Sequence, residues 1–410
     1  MDTTHRTSRR TFLTTSALAA TAGILGIDCH RSVSGTMKQE PPVATGPVIE
    51  RVLGRTGIRI PIVGMGVMNA DNPALVRRAY ELGVRHFDTA ANYQRGRNEE
   101  MLGKVVEELR ARDKVTIATK IYVPHQQRKQ TAAQIKQYHM KGIDECLQRL
   151  RTDYVDILYS HNVEDLEWLN HPAIIEALQE MQAKKKTRWI GFTSHGNMNE
   201  MVADATRSGI YDVVLMTFNY SLFEYAEYID TLKKASEKGI GLVAMKTQCQ
   251  QSWYKEGNPA PVQKFYEGEI SNSALLKWVL RHEFVACAIP GYTTFQQLEE
   301  DIPVNHSLDY TETEKKFLGD RNVMLGMNSV CRLCGQCVPT CPRNVDIPTI
   351  LRTHMYAAEY GNFHHARHTI DTIPVERSIG RCASCTTCSA RCVRSVNIAR
   401  RIDELKSLYV

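Results

Sequence analysis

Val115-Thr116-Ile117-Ala118-Thr119-Lys120, the stretch Thr131 to Leu150, and Tyr154-Val155-Asp156-Ile157-Leu158-Tyr159-Ser160-His161 follow one another along the chain, and their reading decides the fold. The two outer runs are short and apolar, with the β-branched and aromatic residues of buried strands. The middle stretch is longer, and its apolar residues recur at three- and four-residue spacing, the period of an amphipathic helix. Strand, helix, strand in that order predicts a parallel β-α-β unit.

Outward from this unit the same alternation continues. Strands are predicted at Ile58 to Met65, Arg85 to Thr89, Val115 to Lys120, Tyr154 to His161, Thr187 to Thr193, Val213 to Asn219, Ile240 to Lys246 and Phe284 to Ile289. Helices are predicted at Asn98 to Arg110, Thr131 to Leu150, Pro172 to Lys185 and Asn272 to Arg281, among others. Eight such units in about 270 residues predict an α/β chain closed into a (β/α)8 TIM barrel. An open doubly wound sheet would carry a Gly-x-Gly-x-x-Gly phosphate loop after its first strand. Gly64 and Gly66 in Gly64-Met65-Gly66-Val67-Met68 lack the third glycine, so a nicotinamide cofactor must be held another way.

The chain has 410 residues and a formal charge of +6, spread along its length without a basic run interleaved with aromatic residues. That distribution argues against a nucleic-acid partner. Eight of the twelve cysteines fall between Cys331 and Cys392. The asymmetry predicts a boundary near residue 320, with a barrel over 48–320 and a second domain over 321–410.

Ser8-Arg9-Arg10-Thr11-Phe12-Leu13, followed by the mildly apolar stretch Phe12 to Ile27, reads as a twin-arginine (Tat) signal over 1–34, with a polar linker over 35–47. It predicts the Tat translocase as a partner and a periplasmic location. A membrane anchor formed by an uncleaved signal is the alternative, but Thr14, Thr15, Ser16 and Thr21 dilute a stretch already short of the roughly 20 apolar residues of a spanning helix. Cleavage fits Ala20-Thr21-Ala22 or Ser32-Val33-Ser34, and Asp28 argues against lipidation at Cys29.

Catalytic residues of a barrel sit at the C-terminal ends of its strands. Asp88 and Tyr93 in Phe87-Asp88-Thr89-Ala90-Ala91-Asn92-Tyr93, Lys120 and His161 all fall there. With this ordered set, residues 49 to 305 resemble the aldo/keto reductase family. Leu53-Gly54-Arg55-Thr56-Gly57, Arg188-Trp189-Ile190-Gly191-Phe192-Thr193-Ser194 and Ile289-Pro290-Gly291 strengthen the resemblance. It implies reduction of a small-molecule carbonyl substrate, an aldehyde or ketone, by hydride from a nicotinamide cofactor.

The chemistry of the four residues is proton supply to the carbonyl oxygen. A free tyrosine titrates near pH 10 and gives up its proton more readily when a cation favours the phenolate. Lys120 is the expected cation, Asp88 its partner, Tyr93 the general acid and His161 the group that orients the carbonyl. Taken singly, each has a plain structural reading: a surface ion pair, a half-buried phenol, a core histidine. Order and strand position together favour catalysis.

For the cofactor, the resemblance places Ser194 and Asn219 near the nicotinamide, and Gly291 to Asp301, including Thr293 and Gln297, at the adenosine phosphate end. Glu300 and Asp301 match adenine contacts, and Lys246 matches a phosphate contact. Gly291 and Gln297 stand where many NADP-preferring members have Lys and Arg, so the usual cationic grip on a 2′-phosphate is missing; the cofactor is expected to be NADP or NAD. His195, Leu215 and Met245 depart from the common Asn, Gln and nicotinamide-stacking aromatic.

Cys331, Cys334, Cys337 and Cys341 follow C-x2-C-x2-C-x3-C, and Cys382, Cys385, Cys388 and Cys392 repeat it. This spacing suits a small, mainly helical, ferredoxin-like domain with two 4Fe-4S clusters. By the two-cluster ferredoxin pattern, Cys392 completes the first set and Cys341 the second. Disulfides and zinc are the alternatives, and neither accounts for two identical registers. Cys146, Cys249 and Cys287 read as buried apolar thiols.

Clusters and nucleotides are inserted in the cytoplasm, and twin-arginine signals serve proteins exported already folded, so signal and cofactors agree. Two functions are therefore weighed. One is an NAD(P)-linked carbonyl reductase; the other is an exported iron-sulfur electron-transfer protein with a redox partner protein and the barrel as scaffold. The loop Gln248 to Gly268 carries no readable substrate code.

Overall fold

The computed structural model describes residues 46–249 and 265–409. The twin-arginine segment, its cleavage points, Cys29 and most of the 35–47 linker lie outside the described residues, as does most of the Gln248 to Gly268 loop. Eight parallel strands form the barrel wall: β3 (Met65–Gly66), β4 (His86–Asp88), β5 (Thr116–Tyr122), β6 (Val155–His161), β7 (Thr187–Thr193), β8 (Val213–Thr217), β9 (Gly241–Met245) and β10 (Cys287–Ala288). Each pairs with its neighbour in sequence. Parallel bridges Val63 to Ala288 and Gly66 to Gly291 bring the last strand back to the first. The α/β barrel expected from the alternation is thus what the chain forms, and β6, buried on both faces, shows why its sequence is a continuous apolar run.

One predicted strand is two structures. Ile58 to Met65 divides into β2 (Arg59–Pro61), antiparallel to β1 (Glu50–Val52), and the wall strand β3. The hairpin plugs the barrel floor, where Leu53 and Ile60 join Ala118, Ile157, Tyr159 and Val243 in the interior cluster. Its turn lies against β9: Arg55 N donates to Gly239 O at 2.6 Å. Gly54 has φ +51°, and a Cβ there would sit 2.3 Å from Gly241 N. A period-two reading cannot separate a plug strand from a wall strand when both bury their apolar residues.

The helices around the wall start as their sequences dictate. Ala132–Leu150 is capped by Thr131 in a reciprocal box with Gln134. Pro172–Ala183 begins on Pro172, whose missing N–H costs nothing in a first turn. Ser271 caps Asn272–Leu280. Beyond the barrel, helices Ile347–His354, Phe363–Asp371 and Ile398–Tyr409 build a second core around Ile350, Leu351, Ile370, Ile402 and Leu405. The cysteine motifs flank the first two of these helices, and barrel and tail belong to one compact unit. Among the described residues no helix is long and apolar enough to cross a membrane.

Candidate active site

Asp88, Lys120 and His161 lie on three adjacent strands at one rim of the barrel, and Tyr93 follows β4 in a short turn, Tyr93–Gly96. Gln94 and Arg95 adopt left-handed backbone conformations there, φ 50° and 60°. Such residues are strained and persist where their surroundings hold them. Here Gln94 Nε2 donates to Met68 O at 3.4 Å and Gln94 O accepts from Arg97 Nε at 3.2 Å, while Asn98 accepts from Thr89 Oγ1 at 2.7 Å and donates to Val67 O at 2.6 Å, tying the start of the next helix to the strand ends. Behind Lys120, buried Glu99 accepts from Thr119 Oγ1 at 2.5 Å and from Arg149 Nε at 2.7 Å, fixing β5.

The structure brings all four expected catalytic residues together. Lys120 Nζ is ion-paired with Asp88 Oδ1, donates to Thr89 O at 2.6 Å and reaches Tyr93 Oη at 3.2 Å. The His161 ring stands edge-on to the Tyr93 ring, centroids 5.8 Å apart. Side chains of Asp88 and Lys120 are 3% and 1% exposed. At that burial the loss of water outweighs the neighbouring charges. Asp88 is pushed up by burial although Lys120 opposes this, and Lys120 is pushed down by burial although Asp88 opposes that. Burial and then the Asp88 charge hold the Tyr93 phenol well above its ordinary range, so its proton stays on. His161 is pushed well below its ordinary value by burial and then by Lys120, which keeps the imidazole neutral.

Of the expected cofactor residues, Lys246 and Gly291 line the same cavity as the four. Lys246 leaves β9 with φ 57° and places Nζ 3.3 Å from His195 Nδ1. The departures Leu215, Met245 and His195 line this cavity too. The other positions are engaged elsewhere. Ser194 is buried with Oγ donating to Gly196 O at 2.7 Å. Asn219 donates to Lys246 O at 3.0 Å and accepts from Ser221 N at 3.1 Å, so it shapes the Lys246 turn. Gln297 Oε1 accepts from Thr293 N at 2.9 Å and Thr294 N at 3.0 Å, capping helix Phe295–Asp301. Glu300 is exposed and accepts from Gln296 at 2.7 Å. Asp301 is buried, accepts from Gln248 Nε2 at 2.7 Å, and is raised by burial to about 7.

Sequence reasoning missed the residues that roof the site. Tyr356 and Tyr360, from the turn after helix Ile347–His354, line the same cavity as Tyr93 and Lys120. Arg352, His365 and His368 face His161 across an adjoining chamber. None belongs to a motif, and the only local signal was the histidine-rich run His364-His365-Ala366-Arg367-His368 between the cysteine motifs.

The cysteines group by fours. Cys331 and Cys337 both sense Cys392 electrostatically, and Cys337 also senses Cys334. Cys382 senses Cys341, Cys385 and Cys388, and these four line one cavity. Backbone N–H groups of Leu333 and Arg394 donate to Cys331 Sγ and Cys392 Sγ, each at 3.4 Å, as they do to sulfur ligands that must carry negative charge. Burial raises Cys331 to about 12 and Cys337 to about 11, so by themselves both stay protonated thiols, and a bound cationic centre would be what turns them into thiolate ligands. Among the described residues no three His, Cys, Asp or Glu converge tightly enough to ligate one single metal ion, and the described cysteines are free thiols. The fit to iron-sulfur clusters rests on the fourfold grouping of sulfurs and on thiolate chemistry.

A barrel with this rim is the architecture of a carbonyl oxidoreductase, and comparison with known proteins bears on it directly. The Aldo/keto reductase family profile matches residues 63–315, and the chain belongs to that family. A 4Fe-4S dicluster domain profile matches residues 330–397. The chain is 28% identical over 304 residues to L-galactose dehydrogenase of Arabidopsis thaliana, covering 67% of this chain and 93% of the plant protein. It is 24% identical over 323 residues to L-glyceraldehyde 3-phosphate reductase of Escherichia coli strain K12, covering 67% and 92%. Among solved structures, an aldo-keto reductase from Bacillus halodurans in its holo form aligns with TM-score 0.53 at 19% identity, covering 70% of this chain and 98% of that one. One from Klebsiella pneumoniae in complex with NADPH aligns with TM-score 0.50 at 20% identity, covering 67% and 94%. These structural likenesses establish the fold.

Proposed function

We propose that this aldo/keto reductase reduces an aldehyde or ketone with an NADP(H) or NAD(H) cofactor, Tyr93 acting as general acid. The observation that carries the reading is Lys120, whose ammonium is buried between the Asp88 carboxylate and the Tyr93 phenol at the catalytic rim. The bound nicotinamide would supply hydride to the carbonyl carbon. Tyr93 holds its proton until the carbonyl oxygen gains negative charge, then donates it. Lys120 stabilises the phenolate left behind, and Asp88 keeps that ammonium aimed and charged. The neutral His161 ring donates a hydrogen bond to the carbonyl oxygen and fixes its distance from Tyr93. Lys246, beside the same cavity, is suited to a cofactor phosphate, and Ser194 and Asn219 to shaping the nicotinamide site from behind. The Klebsiella relative's NADPH makes NADPH the first cofactor to assay.

The tail would hold two 4Fe-4S clusters, Cys331, Cys334, Cys337 and Cys392 around one, Cys382, Cys385, Cys388 and Cys341 around the other. A cluster takes one electron and hydride carries two, so the clusters serve structure or an external redox partner unless a one-electron step intervenes. The twin-arginine signal would export the folded, loaded protein through the Tat translocase to the periplasm. The decisive experiment is NADPH consumption with an aldehyde by anaerobically purified holoprotein and its Tyr93→Phe variant. Loss of general acid catalysis costs about 10²- to 10⁴-fold in kcat. Undiminished turnover in the variant would remove Tyr93 from its role.

A further inference from the structure

We propose that the segment between the two cysteine motifs builds the distal wall of the substrate chamber, where Tyr356, His365 and His368 select a carbonyl compound bearing several hydroxyl groups. The inference rests on reading the Tyr93 cavity as the carbonyl-reducing site.

The wall stands close to the reacting position. The His365 ring centroid is 6.2 Å from that of Tyr93 and 4.3 Å from that of Tyr356. His368 is 6.1 Å from Tyr122, whose ring lies 6.3 Å from that of His161. Fixed contacts hold the wall on the barrel. Arg352 donates to Glu164 at 2.7 Å and to Asn162 at 3.0 Å, immediately after β6. Asn362 donates to Asn69 at 2.8 Å, and Asn92 Nδ2 pairs with His368 Nε2 at 3.0 Å.

Charge and hydrogen-bonding capacity name the ligand. Among the described residues lining the part of the chamber between this wall and His161, Arg352 is the one arginine or lysine, and it is committed to Glu164. An anionic substrate group would therefore find no spare partner on this wall. Burial lowers His365 to about 3 and also lowers His368, so both rings are neutral: His365 carries one N–H and one bare nitrogen, and His368, whose Nε2 accepts from Asn92 Nδ2, offers its Nδ1–H. A tyrosine hydroxyl has the same double character as His365. A wall that both donates and accepts matches hydroxyls, which do the same. Two further atoms wait for a partner: Asn92 Oδ1 and His161 Nδ1 are buried without one in the protein. An unsubstituted alkyl chain would leave these groups unpaired, at a cost that a polyhydroxylated chain avoids.

The test compares threose with butanal, four-carbon aldehydes with and without hydroxyls, using NADPH and the iron-loaded full chain. The parent protein is expected to favour threose in kcat/KM. In His368→Leu the threose-to-butanal ratio should fall about tenfold, mainly through the KM for threose, the worth of one hydrogen bond between polar groups. His368→Asn, which still donates and accepts, should restore most of it, and equal iron content and NADPH affinity in all three proteins would show them intact. A parent ratio at or below one, or an unchanged ratio in His368→Leu, overturns the proposal while leaving the reductase reading standing. No turnover of either aldehyde with NADPH or NADH would sink the reductase reading, and the wall with it.

Discussion

Replacing Lys120 by Met keeps the length of the side chain and removes the charge on which the candidate site turns. The ammonium is 1% exposed and is bound by Asp88, Thr89 O and Tyr93 Oη. Without it Asp88 is a buried carboxylate with no cation, a loss of about 3–5 kcal/mol for a broken buried pair. For a chain of this size that lowers Tm by roughly 4–7 °C. The pH dependence has a definite sign. Burial already raises Asp88, and Lys120 is the influence opposing it. In the variant the folded pKa rises further above the unfolded value, so the folded state keeps a proton that the unfolded chain releases. Stability then falls as pH rises from about 4 to the new folded pKa and levels off above it. Thermal unfolding of the iron-loaded variant followed by circular dichroism at pH 5 and pH 8 should show the larger deficit at pH 8. Asp88→Asn combined with Lys120→Met removes both charges and should recover more than half of the loss. A single variant as stable as the parent at both pH values, or a double variant no better than the single, would refute the buried-pair reasoning.

Other consequences follow from the same structure. Asp301, raised to about 7 by burial, makes folding less favourable as pH climbs from about 4 to 7. The stability of Asp301→Asn relative to the parent should therefore grow across that window and plateau above it, and a pH-independent difference in melting point would contradict this. Gly54→Ala forces a Cβ to within 2.3 Å of Gly241 N at a left-handed φ; a destabilisation of about 1–3 kcal/mol or more is expected, and an unchanged melting temperature would show that the hairpin does not seal the floor as described. Cys392→Ser should impair the cluster of Cys331, Cys334 and Cys337, whereas Cys341→Ser should impair the other. Iron analysis and EPR of the two variants would distinguish this crossed arrangement from ligation within each motif.

Much of the fold was written locally. The alternation of apolar runs with helical periods gave the barrel, because strand and helix periods are properties of neighbours in sequence. The order Asp88, Tyr93, Lys120, His161 was legible for a related reason: Asp88 and His161 end their strands, Lys120 lies two residues before the end of β5, Tyr93 follows in the turn after β4, and parallel strands of a barrel deliver their ends to one rim. The paired cysteine registers carried their chemistry in spacing alone.

Only the folded chain could decide what the tail does to the mouth of the barrel, and which cofactor positions stay open. Arg352 meets Asn162 across 190 residues of sequence, and His368 meets Asn92 across 276. Contacts of that separation leave no period and no motif, because they depend on how two independently formed surfaces fit. Gln297 and Asn219 teach the same lesson in reverse. Their positions match a cofactor site, yet their amides are bonded to Thr293, Thr294 and Lys246. Backbone groups freed at a helix start or a strand end must be satisfied where they lie, and that demand is settled in space rather than along the sequence.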